Sequence, residues 1–288
     1  MATRSAERAV SLTLLFPAFC GMVAALALLL HRALPDPARA AGVFALLGLG
    51  SWAAGHLARR SGPAGIAFLV GASVALLFSV YSALSLVAAW FLPEDREWTL
   101  LHWDRVWFGY TWEGAWGGLA HPLVTDLLQA VYTSFYAFPL LLGVALARRR
   151  DWTGLFHGLD RVILGFLLSY CGYLLVPTRS PYAFVDYARE LPTWGLQPLL
   201  HGYLVEQSWT KRDCFPSGHT MMSFYVAWLA WQRARPWAWV FVPWALLTVA
   251  ATLYLRYHYL LDVLAGILAC AAWAWAADRI WGPWKRRT

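Results

Sequence analysis

Most of the chain consists of long apolar runs separated by short polar segments. A helix needs about 20 apolar residues to cross the hydrocarbon core of a membrane. Eight runs come near this length, with the fifth and sixth the shortest: Ala9–Leu30, Ala40–Leu57, Ala64–Leu92, Pro122–Leu146, Arg161–Val176, Gly218–Trp231, Pro236–Tyr254 and Tyr257–Ala277. Two longer connections, Pro93–His121 and Pro177–Ser217, are rich in Trp, Tyr, Pro and charge. This pattern predicts an all-α, polytopic membrane helix bundle of about eight spans.

The composition excludes the other broad classes of protein. The 288 residues are 60% hydrophobic and only 14% charged, whereas soluble domains are about 45–50% apolar and about 25% charged. Disordered chains are poor in aromatic residues, and here 16% are aromatic. Four cysteines are too few for a disulfide scaffold. The first run is too long for a signal peptide, so we expect an uncleaved first span.

The distribution of basic residues predicts the orientation. Eight spans place both termini on one side with three short loops, and this side carries fourteen of the 23 Lys and Arg residues but only four of the 16 acids. An excess of Lys and Arg marks the cytoplasmic side. We therefore expect a plasma (inner) membrane protein with cytoplasmic termini and an active site on the outer, periplasmic or extracellular side. The net charge of +7 then indicates orientation, and we expect no nucleic-acid partner.

Three polar clusters fall at span ends on the outward side: Val176–Pro181, Asp213–Thr220 and Arg256–Asp262. Asp262 follows His258 by four residues, so on a helix the two can hydrogen-bond. A carboxylate that holds one imidazole nitrogen makes the other a better nucleophile. His219 follows a Pro-Ser-Gly turn at a helix start, where backbone N–H groups suit an anion such as phosphate.

These residue types indicate a phosphoryl-transfer reaction that is catalysed by two histidines. His258 attacks phosphorus and His219 protonates the leaving oxygen, while Arg179 and Arg256 bind phosphate oxygens. A metal held by His219, His258 and Asp262 is disfavoured because the arginines repel a cation. The histidines at 56, 102, 121 and 201 are more typical of packed or interfacial side chains.

The motifs resemble those of the type-2 phosphatidic acid phosphatase superfamily, the lipid phosphate phosphatases whose site is shared with vanadium haloperoxidases. That family has six core helices, and spans three to eight would supply them, which predicts two additional spans in residues 1–63 and a catalytic membrane domain in 64–288. The resemblance implies that His258 is the nucleophile, Asp262 its partner and His219 the acid/base. Ser217, Gly218 and Arg179 would bind phosphate.

Some motif positions depart from the family pattern. The first-motif Lys is replaced by Gly172, and the third-motif Arg by Thr252. Lys211 or Arg212 would replace the Lys, and Arg256 the Arg. The sequence His-Tyr-x-x-Asp is similar to the branch of inositol phosphorylceramide and sphingomyelin synthases, which pass a phosphoalcohol to a lipid alcohol.

Three functions remain open. The first is a lipid-phosphate phosphoesterase for phosphatidic acid or a polyprenyl pyrophosphate, acting without cofactor or metal. The second is a head-group phosphotransferase, whose outward loops shield the intermediate from water and hold an acceptor through residues such as Trp98, Trp103, Asp104, Trp112, Tyr182, Asp186, Trp194 and Glu206. The third is a transporter, disfavoured because ionisable residues are almost absent from mid-span. The expected partners are the lipid phosphate and the bilayer, and the oligomeric state is open.

Overall fold

The apolar runs fold into helices, because a backbone in lipid must satisfy its hydrogen bonds within the segment. The computed structural model describes residues 11–60, 62–87, 96–207 and 212–284. The helices, numbered α1 to α13, are Ser11–Leu29, Pro37–Arg60, Gly62–Ala83, Glu97–Phe108, Trp112–Trp116, Pro122–Ser134, Phe138–Arg148, Trp152–Leu175, Pro181–Phe184, Leu196–Gln207, Gly218–Arg233, Arg235–Tyr254 and Leu260–Trp281. The described residues contain no strand, so the all-α prediction is confirmed.

Within the described residues, seven helical segments, against about eight predicted, are long and apolar enough to cross a membrane. Helices α6 and α7 together form one of them, Pro122–Arg148. The difference is the sixth predicted span, which is α11, a helix of only 16 residues. Helix α11 packs against α7, α8, α12 and α13, so its length is set by protein neighbours rather than by lipid.

Despite its length, α11 runs from one end of the bundle to the other. At its start, the Ser217 N–H donates to the Asp262 carbonyl, 3.3 Å away. At its far end, Arg233 Nη1 lies 3.4 Å from Asp151 Oδ2, beside the start of α8. Helix α8 in turn ends just before Thr178, which bridges to the segment preceding α11. Helices α8 and α11 are therefore antiparallel, and α11 makes an eighth pass through the bundle.

The first two helices share a hydrophobic core with α3 and α8. The Ser11 N–H donates to Asp160 Oδ1 at 2.9 Å, and Ser51 Oγ donates to the Leu12 carbonyl at 2.7 Å. The first of these bonds joins α1 to α8, and the second joins α2 to α1. The division at residue 63 stays a prediction.

Arg161 was expected at the start of a span but lies inside one. Helix α8 begins at Trp152, nine residues earlier than predicted. The guanidinium is 1% exposed and donates to Asp278 Oδ1 at 2.9 Å, with Trp281 and Trp284 against it. A buried guanidinium needs such a partner, so this ion pair fixes α13 to α8 at the end of the bundle opposite the Thr178 bridge.

Gly266 lets α13 approach the start of α11. A Cβ atom at this position would lie 2.7 Å from the Ser217 carbonyl oxygen, a backbone atom that cannot rotate away. We expect Gly266→Ala to lower the free energy of unfolding by about 1–3 kcal/mol through overpacking, measured by thermal unfolding in detergent. The matched control is Gly71→Ala in α3, where a Cβ meets nothing within 4 Å and the helix gains up to about 1 kcal/mol. Equal effects of the two substitutions would contradict the close approach.

Candidate active site

A histidine and a carboxylate form a buried pair at the start of α13. His258 Nδ1 lies 3.0 and 3.1 Å from the two oxygens of Asp262, and the side chains are 5% and 0% exposed. The predicted hydrogen bond is therefore present, although His258 precedes the helix, which begins at Leu260. The pair is set by the turn at the helix start, where the Tyr259 N–H also donates to Asp262 Oδ2 at 3.0 Å. With Nδ1 bonded to the carboxylate, Nε2 carries the free lone pair.

Cys214 is a third member of this group that the sequence did not indicate. Its Sγ lies 2.9 Å from Asp262 Oδ2 and 3.5 Å from His258 Nδ1. Burial, followed by the charge of Asp262, raises the pKa of this thiol well above its usual value. The thiol therefore stays protonated and donates to Asp262 Oδ2, the oxygen that also accepts the Tyr259 N–H.

His219 faces this pair from the start of α11. Ser217 caps the helix, since its Oγ accepts the Thr220 N–H at 3.2 Å. The His219 ring centroid lies 5.6 Å from that of His258 and 4.3 Å from that of Tyr132, on which it stacks. His219 Nε2 is buried without a hydrogen-bond partner among the described residues. The two imidazoles thus lie on either side of a gap at a helix N-terminus, where anions are favoured.

Gly218, between the cap and the histidine, is required by close packing. A Cβ atom here would lie 2.3 Å from the Tyr173 hydroxyl and 3.0 Å from Ser169 Oγ. A side chain at this position would therefore require the Tyr173 and Ser169 side chains to move away from the start of α11.

Arg256 lies beside His258 with its guanidinium between two aromatic rings. The guanidinium carbon is 4.0 Å from the Trp112 ring centroid and 3.8 Å from that of Tyr187. The residue is 7% exposed, and Nε and Nη2 have no hydrogen-bond partner among the described residues. Burial lowers the pKa of this guanidinium. Arg256 and His258 both line a cavity of about 100 Å³, so unsatisfied donors lie near the candidate nucleophile.

The other predicted phosphate ligands are placed differently. Arg179 donates from its backbone N–H and from Nε to Glu97 Oε1, at 2.7 and 3.0 Å. Neither Arg179 nor Arg212 lines the cavities that His258 borders. Lys211 lies outside the described residues, as does the side chain of Glu206.

A larger cavity of about 560 Å³ adjoins both histidines and extends between α3, α6 and α8. It is lined by aromatic rings together with Asp213, whose carboxylate accepts a hydrogen bond from the Tyr81 hydroxyl. Its aromatic lining comprises Phe78, Tyr81, Tyr132, Phe135, Tyr136, Phe166, Tyr170, Tyr173, Tyr182, Tyr203 and Tyr257, with His201. Such a concave, mainly aromatic space beside polar groups is typical of small-molecule and lipid sites.

Helix α4, in the first long connection, holds the site through two buried carboxylates. Glu97 is 0% exposed and binds Arg179. Asp104 accepts the N–H groups of Leu260 and Leu261, both at 2.8 Å, and so caps α13 from outside. Burial raises the pKa of Asp104 to about 6. Asp104 therefore positions the helix start that presents His258 and Asp262.

The remaining loop residues divide by exposure. Trp98 and Trp194 are 70% exposed, and Asp186 is also exposed. Trp112 is buried, and its Nε1 donates to the Tyr254 carbonyl at 2.7 Å. The two long connections thus contribute Trp112, Tyr182 and Asp104 to the walls of the site.

We predict that Asp104→Asn destabilises the start of α13. An amide offers one acceptor oxygen for two N–H groups, so one donor loses its partner, at a cost of about 1–3 kcal/mol. The substitution should also change the pH dependence of unfolding. Because the folded-state pKa lies above the ordinary 3.8, the folded protein binds the Asp104 proton more tightly, and this contribution to stability is lost as the pH rises from about 4 to about 6.

Thermal unfolding of the wild type and of Asp104→Asn, each at about pH 4.5 and about pH 7, measures both effects. Asp186→Asn is the matched control, since this exposed carboxylate lines the same small cavity. An Asp104→Asn protein whose unfolding temperature and pH dependence match those of the control would contradict the capping role.

Comparison with known proteins gives one match. Residues 187–286 match the family model described as the PAP2 superfamily. The comparisons with curated proteins and with solved structures found no match. The matched region contains Ser217, Gly218, His219, His258 and Asp262, and it includes the whole of α13. The match confirms the resemblance to the type-2 phosphatidic acid phosphatase superfamily.

Proposed function

We propose that this chain is an integral membrane lipid-phosphate phosphoesterase that works through a phosphohistidine on His258. Membership of the matched region in the PAP2 superfamily supports a phosphatase-type enzyme. The observation that carries the proposal is the His258–Asp262 pair, buried and facing His219 across a 5.6 Å separation of ring centroids. A phosphoryl group between the two rings would contact both imidazoles.

In the first step, His258 Nε2 attacks phosphorus and the bond from phosphorus to the lipid oxygen breaks. The Asp262 carboxylate holds the Nδ1 proton, so it stabilises the positive charge that develops on the ring. His219 gives a proton to the leaving oxygen, which departs as an alcohol from an ester or as a phosphate from a pyrophosphate. The unpartnered Nε2 of His219 is the atom suited to carry this proton.

In the second step, water attacks phosphorus and the nitrogen–phosphorus bond breaks. His219 takes a proton from the water, and His258 returns to its starting form. The helix start at Gly218 and the guanidinium of Arg256 supply donors for the phosphate oxygens. Substrates of the phosphatidic acid or polyprenyl pyrophosphate class fit, because the aromatic cavity beside the histidines accepts the apolar part.

The second candidate is a head-group phosphotransferase, which replaces water by a lipid alcohol in the second step. The enclosure of the site favours it. His258 is 5% exposed, and the adjoining cavity is mostly aromatic. Both features limit the access of water to the phosphohistidine.

Turnover of detergent-purified protein tests the proposal. With phosphatidic acid and a polyprenyl pyrophosphate as substrates and a chelator present, we expect phosphate release by the wild type. His258→Ala should abolish release, because the nucleophile is missing. His219→Ala should lower kcat by about 10²–10⁴ through loss of the acid/base, and Asp262→Asn by up to about 10⁴. His102→Ala, an exposed histidine of α4, is the control and should keep full activity.

Substantial release by a folded His258→Ala protein would remove this residue as nucleophile. If the folded wild type released no phosphate but moved a head group from a phospholipid to a lipid alcohol, the phosphotransferase would replace the phosphatase. Thermal unfolding of each variant shows that it is folded.

We also propose that the site faces the outer side of the membrane and that the termini are cytoplasmic, on the grounds of the Lys and Arg excess. A cysteine at exposed Glu190, in a background without the four native cysteines, should react with an impermeant thiol reagent in intact cells. A cysteine at exposed Arg149, in the loop between α7 and α8, should react only after lysis. The reverse pattern would invert the orientation.

A further inference from the structure

The candidate nucleophile His258 belongs to a compact group of three side chains, which carry sulfur, nitrogen and oxygen atoms. Cys214 Sγ lies 3.5 Å from His258 Nδ1 and 2.9 Å from Asp262 Oδ2, and Nδ1 lies 3.0 Å from Asp262 Oδ1. Among the described residues, this is the group of sulfur, nitrogen and oxygen donors within 4.8 Å of one another that could hold a metal ion. All three side chains are buried.

We propose that Cys214, His258 and Asp262 bind a zinc ion that inhibits the enzyme. Zinc bonds of about 2.3 Å to sulfur and about 2.0–2.1 Å to nitrogen and oxygen, at tetrahedral angles, separate the ligand atoms by roughly 3.3–3.6 Å. Of the observed separations of 2.9 to 3.5 Å, the sulfur–nitrogen one already fits, and the sulfur–oxygen one needs to expand by about 0.7 Å. The mixture of thiolate, imidazole and carboxylate is one that zinc prefers.

The surrounding charges permit a cation. The guanidinium of Arg179 is paired with Glu97, and that of Arg256 lies between two aromatic rings. Asp104 adds a carboxylate close enough to interact with Asp262. Of the two arginines that argued against a metal from sequence alone, Arg179 is therefore compensated by Glu97, and the carboxylate of Glu113 acts on Arg256. The carbonyl oxygen of Tyr257, 3.5 Å from Cys214 Sγ, offers a fourth ligand.

Zinc binding and catalysis would exclude each other. The Cys214 thiol would release its proton to solvent, and the imidazole proton would move from Nδ1, now bound to zinc, to Nε2. A protonated Nε2 has no lone pair with which to attack phosphorus. Inhibition rests on the proposed role of His258 as nucleophile, whereas binding of the ion does not.

Cobalt(II) is the probe for binding, because thiolate ligation gives it a charge-transfer absorption band. Chelator-washed wild type in thiol-free buffer should bind one Co²⁺ and show this band. Addition of Zn²⁺ should displace the Co²⁺ and remove the band. Cys214→Ser should lose the band, and Cys270→Ser, which changes a distant cysteine in α13, should retain it. Zn²⁺ should raise the unfolding temperature of the wild type, since it binds the folded state.

Activity tests the consequence. Zn²⁺ at about 100 times its dissociation constant should lower phosphate release about 100-fold, reversibly with chelator, and Cys214→Ser should need at least about tenfold more Zn²⁺. Absence of the band in the folded wild type, or its persistence in Cys214→Ser, overturns the site without reliance on any variant's activity. Binding that leaves turnover unchanged overturns the inhibition. If no substrate is turned over, the absorption band still decides whether the site exists.

Discussion

The carboxylate of Asp262 is the interaction on which the site depends. The carboxylate is fully buried and accepts hydrogen bonds from His258 Nδ1, the Cys214 thiol and the Tyr259 N–H. The backbone carbonyl of Asp262 accepts the Ser217 N–H. A buried charge is tolerated only when such donors surround it. One residue therefore joins the turn before α13 to the segment before α11, and fixes the two candidate catalytic histidines relative to each other.

The connection between α3 and α6 stabilises the site as well as covering it. Helix α4 inserts two buried carboxylates into the bundle, Glu97 against Arg179 and Asp104 against the first N–H groups of α13. Asp104 satisfies N–H groups that the helix end would otherwise leave unpaired, and Arg179 pairs with the buried carboxylate of Glu97. The segment that would meet a substrate at the membrane surface is thus coupled mechanically to the segment that presents His258.

The helices were predictable because spans in lipid must be apolar and long, and the start of α11 at Gly218 follows from its Pro-Ser-Gly turn. The short length of α11 was visible in the sequence, where Gly218–Trp231 is one of the two shortest runs. The helices that surround α11 were not predictable, because they depend on the tertiary fold. His258 and Asp262 lie close in sequence, so their bond could be predicted. Cys214 and Asp104 reach the same place from distant segments, and only tertiary packing brings them there.

The proposed mechanism requires a covalent bond between His258 and phosphorus. The most direct measurement mixes the protein with a ³²P-labelled lipid phosphate, quenches in alkali, where a phosphoramidate survives, and maps the label by mass spectrometry. A phosphoryl group should form on His258 within one turnover and should be lost on further incubation. A label on any other residue, or full turnover without a labelled protein, would contradict it.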